Sequence, residues 1–331
     1  LNLWIDSDGG VDDALALACA LSSPETSVSG ISTVFGNVAP IKAARNAALV
    51  QSFFPKPHAD IFAGADAPLQ GNWQHARAVH GSDGLGGASA ERIAGRILPK
   101  PVGVCPIKTA GQITAFARDS HAAPASGKER HLICLGPLTN LARACQQDLA
   151  ALQSLTSITI MGGALSIPPP RKGGAEFNFG SDIEATKTVL SAGLPLTIIP
   201  LDVCRKVVLR KARLAKIARA CATPLTHFMQ RAHNHYMDVY KAREGIEGCY
   251  PHDALSVAAV LQPDMFKRET SRITLDESGV FAGLINIDEA GFAVQLATDI
   301  DQRLALDWIE LCLMTAPNNE DTAFIKPHTN P

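Results

Sequence analysis

Short apolar runs alternate along this chain with longer stretches whose apolar residues recur at helical spacing. The short runs predict strands at Leu1–Ile5, Val28–Val34, Ile61–Ala63, Leu132–Leu135, Ser157–Met161 and Leu196–Pro200. The helical period predicts helices over Asp12–Ser22, Ile41–Phe53, Thr139–Leu152, Asp182–Ala192, Lys211–Ala220, Pro224–Ala242 and His252–Leu261. Such alternation implies an α/β fold: an open, mostly parallel central sheet of Rossmann-like type flanked by helices. The end of the chain departs from it. Ser271–Leu275, Val280–Ile287 and Phe292–Ala297 read as antiparallel strands, followed by a helix through Leu304–Leu313. No composition break marks a linker, so residues 1–315 are expected to form a single domain and 316–331 a loose tail.

Composition narrows the function classes. With 46% hydrophobic and 19% charged residues the chain has the make-up of an ordinary globular enzyme. A net charge of −2 leaves no electrostatic footprint for nucleic acid or an anionic membrane. No uninterrupted apolar run is long enough to span a bilayer. The eight cysteines are scattered without CxxC spacing, as expected of reduced, mostly buried thiols in a cytoplasmic protein.

The chemistry concentrates near the start. Asp6, Asp8, Asp12 and Asp13 crowd a turn between a strand and a helix, where Gly9 and Gly10 let the backbone bend. Strand alternation puts Asp6 and Asp8 on one face, and Asp12 and Asp13 open the helix, where acids are favoured. One such acid alone is most simply a helix cap. Four together repel one another unless a proton or a cation offsets them. An all-oxygen donor set suits Ca²⁺ or Mg²⁺ rather than zinc. Asp253, beside His252 at a helix start, is the best candidate for a further acid.

The run Asp6-Ser-Asp-Gly-Gly-Val-Asp-Asp-Ala resembles the N-terminal signature of the calcium-dependent nucleoside hydrolases, which split the N-glycosidic bond of ribonucleosides. Further matches follow in order: Thr33-Val-Phe-Gly-Asn37, His80-Gly-Ser-Asp-Gly-Leu, Gly136-Pro-Leu-Thr-Asn, Met161-Gly-Gly, Ala175-Glu-Phe-Asn178 and His252-Asp-Ala-Leu. Each motif alone is weak, but the ordered set spans roughly residues 1 to 260.

The resemblance implies that Asp8, Asp13, Asp253 and the carbonyl of Leu135 ligate Ca²⁺. It casts Asp12 as the base that takes a proton from a calcium-bound water, with Asp6 in support. Asn37, Glu176 and Asn178 match positions that hold the ribose hydroxyls. His252 matches a histidine beside the departing base, and His80 another near that pocket. Attack by water on an oxocarbenium-like sugar implies inversion at the anomeric carbon. The family also implies a small-molecule ribonucleoside as partner and assembly as a homodimer or homotetramer. Purine or pyrimidine preference stays open.

Other readings concern the pocket walls. Tyr236 and Tyr240 lie four apart on one helix face and are placed to stack on the nucleobase, the alternative being plain packing. Met161 and Phe177 are candidates for lining the sugar pocket, again with core packing as the alternative. His227, His233 and His235 read as surface or packing histidines. The family usually carries an Asn shortly before Glu-Phe-Asn for the 5′-hydroxyl. Here that stretch is Pro168-Pro-Pro-Arg-Lys-Gly-Gly, so Arg171 or Lys172 is a candidate replacement, against a merely solvent-exposed loop. Two rival functions compete. A magnesium-dependent Asp-x-Asp phosphatase leaves Asp12 and Asp13 unexplained, and a non-catalytic nucleoside- or ribose-binding protein has no use for Asp12.

Overall fold

The six apolar runs become six parallel strands because each carries apolar residues for both faces of the sheet. In the computed structural model, which describes residues 1–55, 58–72, 75–88, 105–118, 129–165, 176–279 and 282–316, the order begins β1 (Asn2–Ser7), α1 (Val11–Ser22), β2 (Ser27–Thr33), α2 (Pro40–Gln51) and β3 (Asp60–Ala63). It continues through α3 (Arg77–His80), α4 (Pro106–Arg118), β4 (Arg130–Cys134), α5 (Thr139–Gln153), β5 (Ser157–Met161), α6 (Phe177–Ser181), α7 (Ile183–Ser191) and β6 (Leu196–Ile199). Then come α8 (Leu201–Cys204), β7 (Leu209–Arg210), α9 (Lys211–Ala220), α10 (Pro224–Glu244), β8 (Gly248–Cys249) and α11 (His252–Leu261). The chain closes with β9 (Phe266–Leu275), β10 (Ile285–Ile287), β11 (Phe292–Ile300) and α12 (Gln302–Thr315).

Among the described residues one nine-stranded sheet runs β10-β9-β11-β6-β5-β4-β1-β2-β3, and β7 pairs with β8 in a separate ribbon. Strands β1 to β6 are mutually parallel, whereas β9 runs antiparallel to both β10 and β11. Side chains of β1 alternate between two cores. Leu3 and Ile5 join the one built with α1, α2 and α9 to α12, while Trp4 joins the one built with α4, α5 and α7. Because β1 lies between β2 and β4, successive crossovers leave it in opposite directions. Ligands in open α/β sheets bind at such a reversal, beyond the carboxyl ends of the strands. The four acids and Leu135 stand there.

Some elements differ from the pattern. Helix α4 was not among the expected elements, although Ala110, Ile113, Phe116 and Ala117 recur at helical spacing along it. Its buried face, including Ile113 and Phe116, forms by packing on α5. Strand β10 begins at Ile285 rather than Val280: residues 282–284 form a turn closed by Gly283 N–H donating to the Asp276 carbonyl at 2.9 Å. Val280 itself lies outside the described residues, as does nearly all of the expected tail.

Candidate active site

The acid cluster is built by a backbone that turns sharply at the end of β1. Gly9 has φ +77°, a conformation few L-residues adopt, and a Cβ on Gly10 would lie 2.4 Å from Asn37 Nδ2 and 2.8 Å from His80 Nδ1. The turn therefore closes only with glycine in both places. It aims backbone N–H groups at Asp13, the third residue of α1. Asp13 accepts from Gly10 N at 2.7 Å, Asp8 N at 3.1 Å and Ser7 Oγ at 2.6 Å. Asp8 lies past the last residue of β1, so strand alternation no longer governs it. Its oxygens take the Asn37 backbone N–H at 2.9 Å and Asn37 Nδ2 at 2.7 Å. Asp6 is bonded instead by Ser32 and by Asn140 Nδ2, which places it in support of the turn.

Asp253, second residue of α11, completes the group from far along the chain. Asp12, Asp13 and Asp253 are all buried, and each offers a carboxylate oxygen within 4.8 Å of the others. Asp8 is not in that trio, its oxygens being turned to Asn37, and Asp12 stands there instead. The Leu135–Gly136 peptide lies close by, since a Cβ on Gly136 would sit 2.8 Å from Asp8 Cβ. The Leu135 carbonyl itself accepts from Asn178 Nδ2 at 2.9 Å.

Burial and mutual repulsion set the charge state of these acids. Asp12 is raised to about 7, by burial first and by Asp13 next. Asp6 is raised to about 6 by burial, although Ser32 and Asn140 pull it down. Asp8 and Asp253 are pushed well above the usual carboxylate range, again chiefly by burial. Asp12 Oδ1 is buried with no hydrogen-bond partner. An all-oxygen set of crowded acids with an orphaned oxygen fits a hard dication, which would offset their charge.

Facing the acids is an aromatic wall. Tyr236 OH donates to Asp12 Oδ2 at 3.2 Å, lies 3.4 Å from Tyr240 OH, and Tyr240 OH is 3.0 Å from His252 Nε2. The His80 ring lies tilted against Tyr236, centroids 4.9 Å apart, and its Nδ1 accepts the Val11 N–H at 3.1 Å. That nitrogen's lone pair is thus engaged. Its 3.7 Å approach to Asp12 is proximity, not a hydrogen bond. Burial lowers His80 to about 4 and His252 to about 3, so both rings are neutral near pH 7.

The third wall comes from α6. Asn178 Nδ2 bonds the carbonyls of Leu135 and of Met161, the latter at 3.0 Å. Glu176 caps α6, taking N–H bonds from Gly163, Asn178 and Phe179 at 2.8 to 2.9 Å. Its carboxylate is therefore bound to backbone, a local role that spacing alone does not reveal. Phe177 is half-buried, while Phe179 packs against Gly162 and Gly163. His233 is buried behind Tyr236, whereas His227 and His235 are more exposed. Arg171, Lys172 and the three prolines lie outside the described residues.

Several supporting residues had no signal in the pattern. Asn140 Nδ2 ties Asp6 to the Thr33 carbonyl, and Asn46 Nδ2 joins the carbonyls of Gly9 and Asp83, both at 2.9 Å. Arg205, Glu244 and Tyr250 stand behind the aromatic wall. Only the Gly-Pro-Leu-Thr-Asn140 motif offered a hint of any of them.

The family model for inosine-uridine preferring nucleoside hydrolases matches residues 3–307. Uridine nucleosidase 1 of Arabidopsis thaliana is 29% identical over 326 residues, covering 95% of this chain and 93% of that protein. The pyrimidine-specific ribonucleoside hydrolase RihA of a Salmonella enteritidis strain is 29% identical over 290 residues, with 87% and 88% covered. Among solved structures, the plant nucleoside hydrolase PpNRh1 superposes with a TM-score of 0.83 at 24% identity, covering 96% of this chain and 99% of that one. A purine-preferring ribonucleoside hydrolase from Gardnerella vaginalis gives 0.81, also at 24% identity, with 95% and 98% covered. At such identities these structures speak for the fold. On the family match, this chain belongs to the inosine-uridine preferring nucleoside hydrolases and is a hydrolase of the ribonucleoside N-glycosidic bond.

Proposed function

We propose that Asp8, Asp13, Asp253 and the Leu135 carbonyl would hold a calcium ion, and that Asp12 is the general base. The observation that carries this reading is the buried acid trio, in which Asp12 Oδ1 is buried without a hydrogen-bond partner. When bound, the cation offsets the crowded charge, polarises water and anchors the sugar's vicinal diol.

Asp12 then receives one proton from the attacking water as its oxygen bonds the anomeric carbon and the bond to the base nitrogen breaks. Burial and the neighbouring Asp13 carboxylate push Asp12 up, which strengthens it as a proton acceptor, while a bound cation would pull the other way. The surrounding carboxylates favour the positive charge that develops on the ribose ring. Asn37 and Asn178 flank the cluster and are assigned to the ribose hydroxyls, together with Glu176 once it exchanges a backbone bond for a sugar hydroxyl. Met161 and Phe177 are assigned to the sugar's apolar side.

On the other side, Tyr236, Tyr240, His80 and His252 form the seat of the nucleobase. Burial keeps His252 neutral, so its N–H hydrogen-bonds the departing nitrogen and steadies its charge rather than acting as an imidazolium, and the base then takes its proton from water. Ribose with inverted configuration and the free base are the products. Residues 1–315 are taken as one domain working as a homodimer or homotetramer, which light scattering checks.

The deciding experiment measures reducing ribose released from inosine, uridine, cytidine and adenosine. Wild type releases it from at least one, and Asp12→Ala from none. A protein that binds these nucleosides and calcium yet releases no ribose is a binding protein, and the reading fails. Metal analysis of the purified protein tests calcium against magnesium.

A further inference from the structure

Behind the wall that faces the nucleobase lies a second polar group, remote from the metal and the ribose. Glu244 is the last residue of α10, where a carboxylate opposes the helix dipole. Two partners offset that cost: Arg205, at the end of α8, donates from Nη2 to Glu244 Oε2, and Tyr250 OH donates to the same oxygen at 3.1 Å. The Arg205 guanidinium also lies over the Tyr250 ring, 5.3 Å from its centre. Tyr250 is thus held by its hydroxyl and by its face.

What Tyr250 does with this anchoring is visible on its other side. Its ring meets Tyr240 edge-on at 5.2 Å and 87°, and lies 5.7 Å from the His252 ring. Those are the two groups that share the 3.0 Å contact at the end of the wall. Among the described residues His252 Nδ1 has no hydrogen-bond partner. The angle of its ring therefore rests on Tyr240 OH and on the packing of Tyr250. Donors of this kind need placement to a few tenths of an ångström.

We propose that Arg205, Glu244 and Tyr250 form a clamp that positions Tyr240 and His252, and so determines how well the enzyme expels a poor leaving group. None of the three need touch the substrate; they are positioning residues. The inference rests on the assignment of His252 to the leaving base. It separates two steps: ribose capture and water attack belong to the acid cluster, whereas base departure depends on the clamp.

The test compares a natural nucleoside, inosine or uridine (whichever wild type cleaves faster), with p-nitrophenyl β-D-ribofuranoside, whose leaving group departs as a stable anion and needs no hydrogen-bond donor. For Tyr250→Leu and Glu244→Ala, kcat on the nucleoside should fall about 10- to 100-fold, part of the roughly 10²- to 10³-fold worth of a positioned hydrogen-bond donor to developing charge. KM and activity on the nitrophenyl riboside should stay within about threefold. Glu244→Gln keeps an acceptor for the Tyr250 hydroxyl and should recover most of the lost rate. Glu244 is partly exposed at a helix end, so its variants fold even if Tyr250→Leu does not.

Equal losses on both substrates mean that the three residues only support the fold, which overturns the proposal, and so does no loss on either. His252→Ala is run alongside. If it too fails to discriminate between the substrates, the assignment of His252 is wrong. If it discriminates and the clamp variants do not, the clamp alone is wrong.

Discussion

The acid cluster and the aromatic wall meet at Asp12, yet they are made in opposite ways. The acids come almost entirely from one turn, residues 6 to 13, and are held by backbone N–H groups and short side chains. The wall is assembled from α3, α10 and the start of α11, and is held by ring packing and two hydroxyls. Burial acts on both and pushes both toward neutrality: acids rise, with Asp12 reaching about 7, and histidines fall, with His233 reaching about 4. A cation can relieve the first side, whereas the second stays neutral. In the proposed assignment, one seat suits a sugar that becomes positive, and the other a heterocycle that leaves.

The largest break in this division should come from Asp12→Asn, which keeps the shape and the Tyr236 contact but removes the proton acceptor. We expect kcat on inosine or uridine to fall about 10³- to 10⁴-fold with calcium affinity retained. Calcium affinity read by calorimetry separates the two effects. A variant that loses calcium and rate together would assign Asp12 to the metal instead of the base.

Cation removal addresses the acid side as a whole. Calcium at about 100 times its dissociation constant should add roughly 3 kcal/mol to stability. Chelator should lower the melting temperature correspondingly and abolish ribose release, and added calcium should restore both. Magnesium restoring them equally well would remove the case for calcium.

The wall carries the opposite pH signature, and His233 isolates it. Its folded pKa of about 4 lies below the ordinary value of 6.5, with the Nδ1–H donated to the Met229 carbonyl and Nε2 buried without a partner. The neutral ring is favoured by the fold. Its contribution is therefore complete above pH 6.5 and is lost as pH falls from 6.5 toward 4, at most about 3 kcal/mol. His80 and His252 add the same trend, so the useful quantity is a difference. His233→Leu should flatten the fall in melting temperature over that interval relative to wild type, and an unchanged slope would contradict the assignment.

The smallest expected effect tests the turn. Gly10→Ala pushes a methyl group against Asn37 and His80, and should cost about 1–3 kcal/mol. Calcium affinity should weaken because Asn37 also holds Asp8. Calorimetry and thermal unfolding read both, and an alanine tolerated with unchanged affinity would show the turn to be looser than drawn.

Legibility followed the same division. The acid turn could be read because its residues are neighbours and the glycines between them leave few conformations. Strands β1 to β6 could be read because a strand buried on both faces is a short apolar run wherever it occurs. Helix α4 was legible too, since its buried face recurs at helical spacing, and its absence from the expected elements has no physical reason in the chain. Glu176 read as a ribose ligand, yet its present bonds are those of a helix cap, since a carboxylate before two free N–H groups satisfies them first.

By itself the sequence determined the α/β alternation, the crowded acids and their demand for a cation, because these depend on spacing within a single turn or strand. Only the tertiary structure decided that Asp253 closes the group and that Asp12 brings a buried oxygen without a partner into the trio. It also decided that Tyr250 is tied down by Arg205 and Glu244. Most of these contacts join residues tens to hundreds of positions apart, and even Glu244 and Tyr250, six apart, are parted by the end of α10. Their distances are set by how helices seat on a common sheet, which no local pattern encodes.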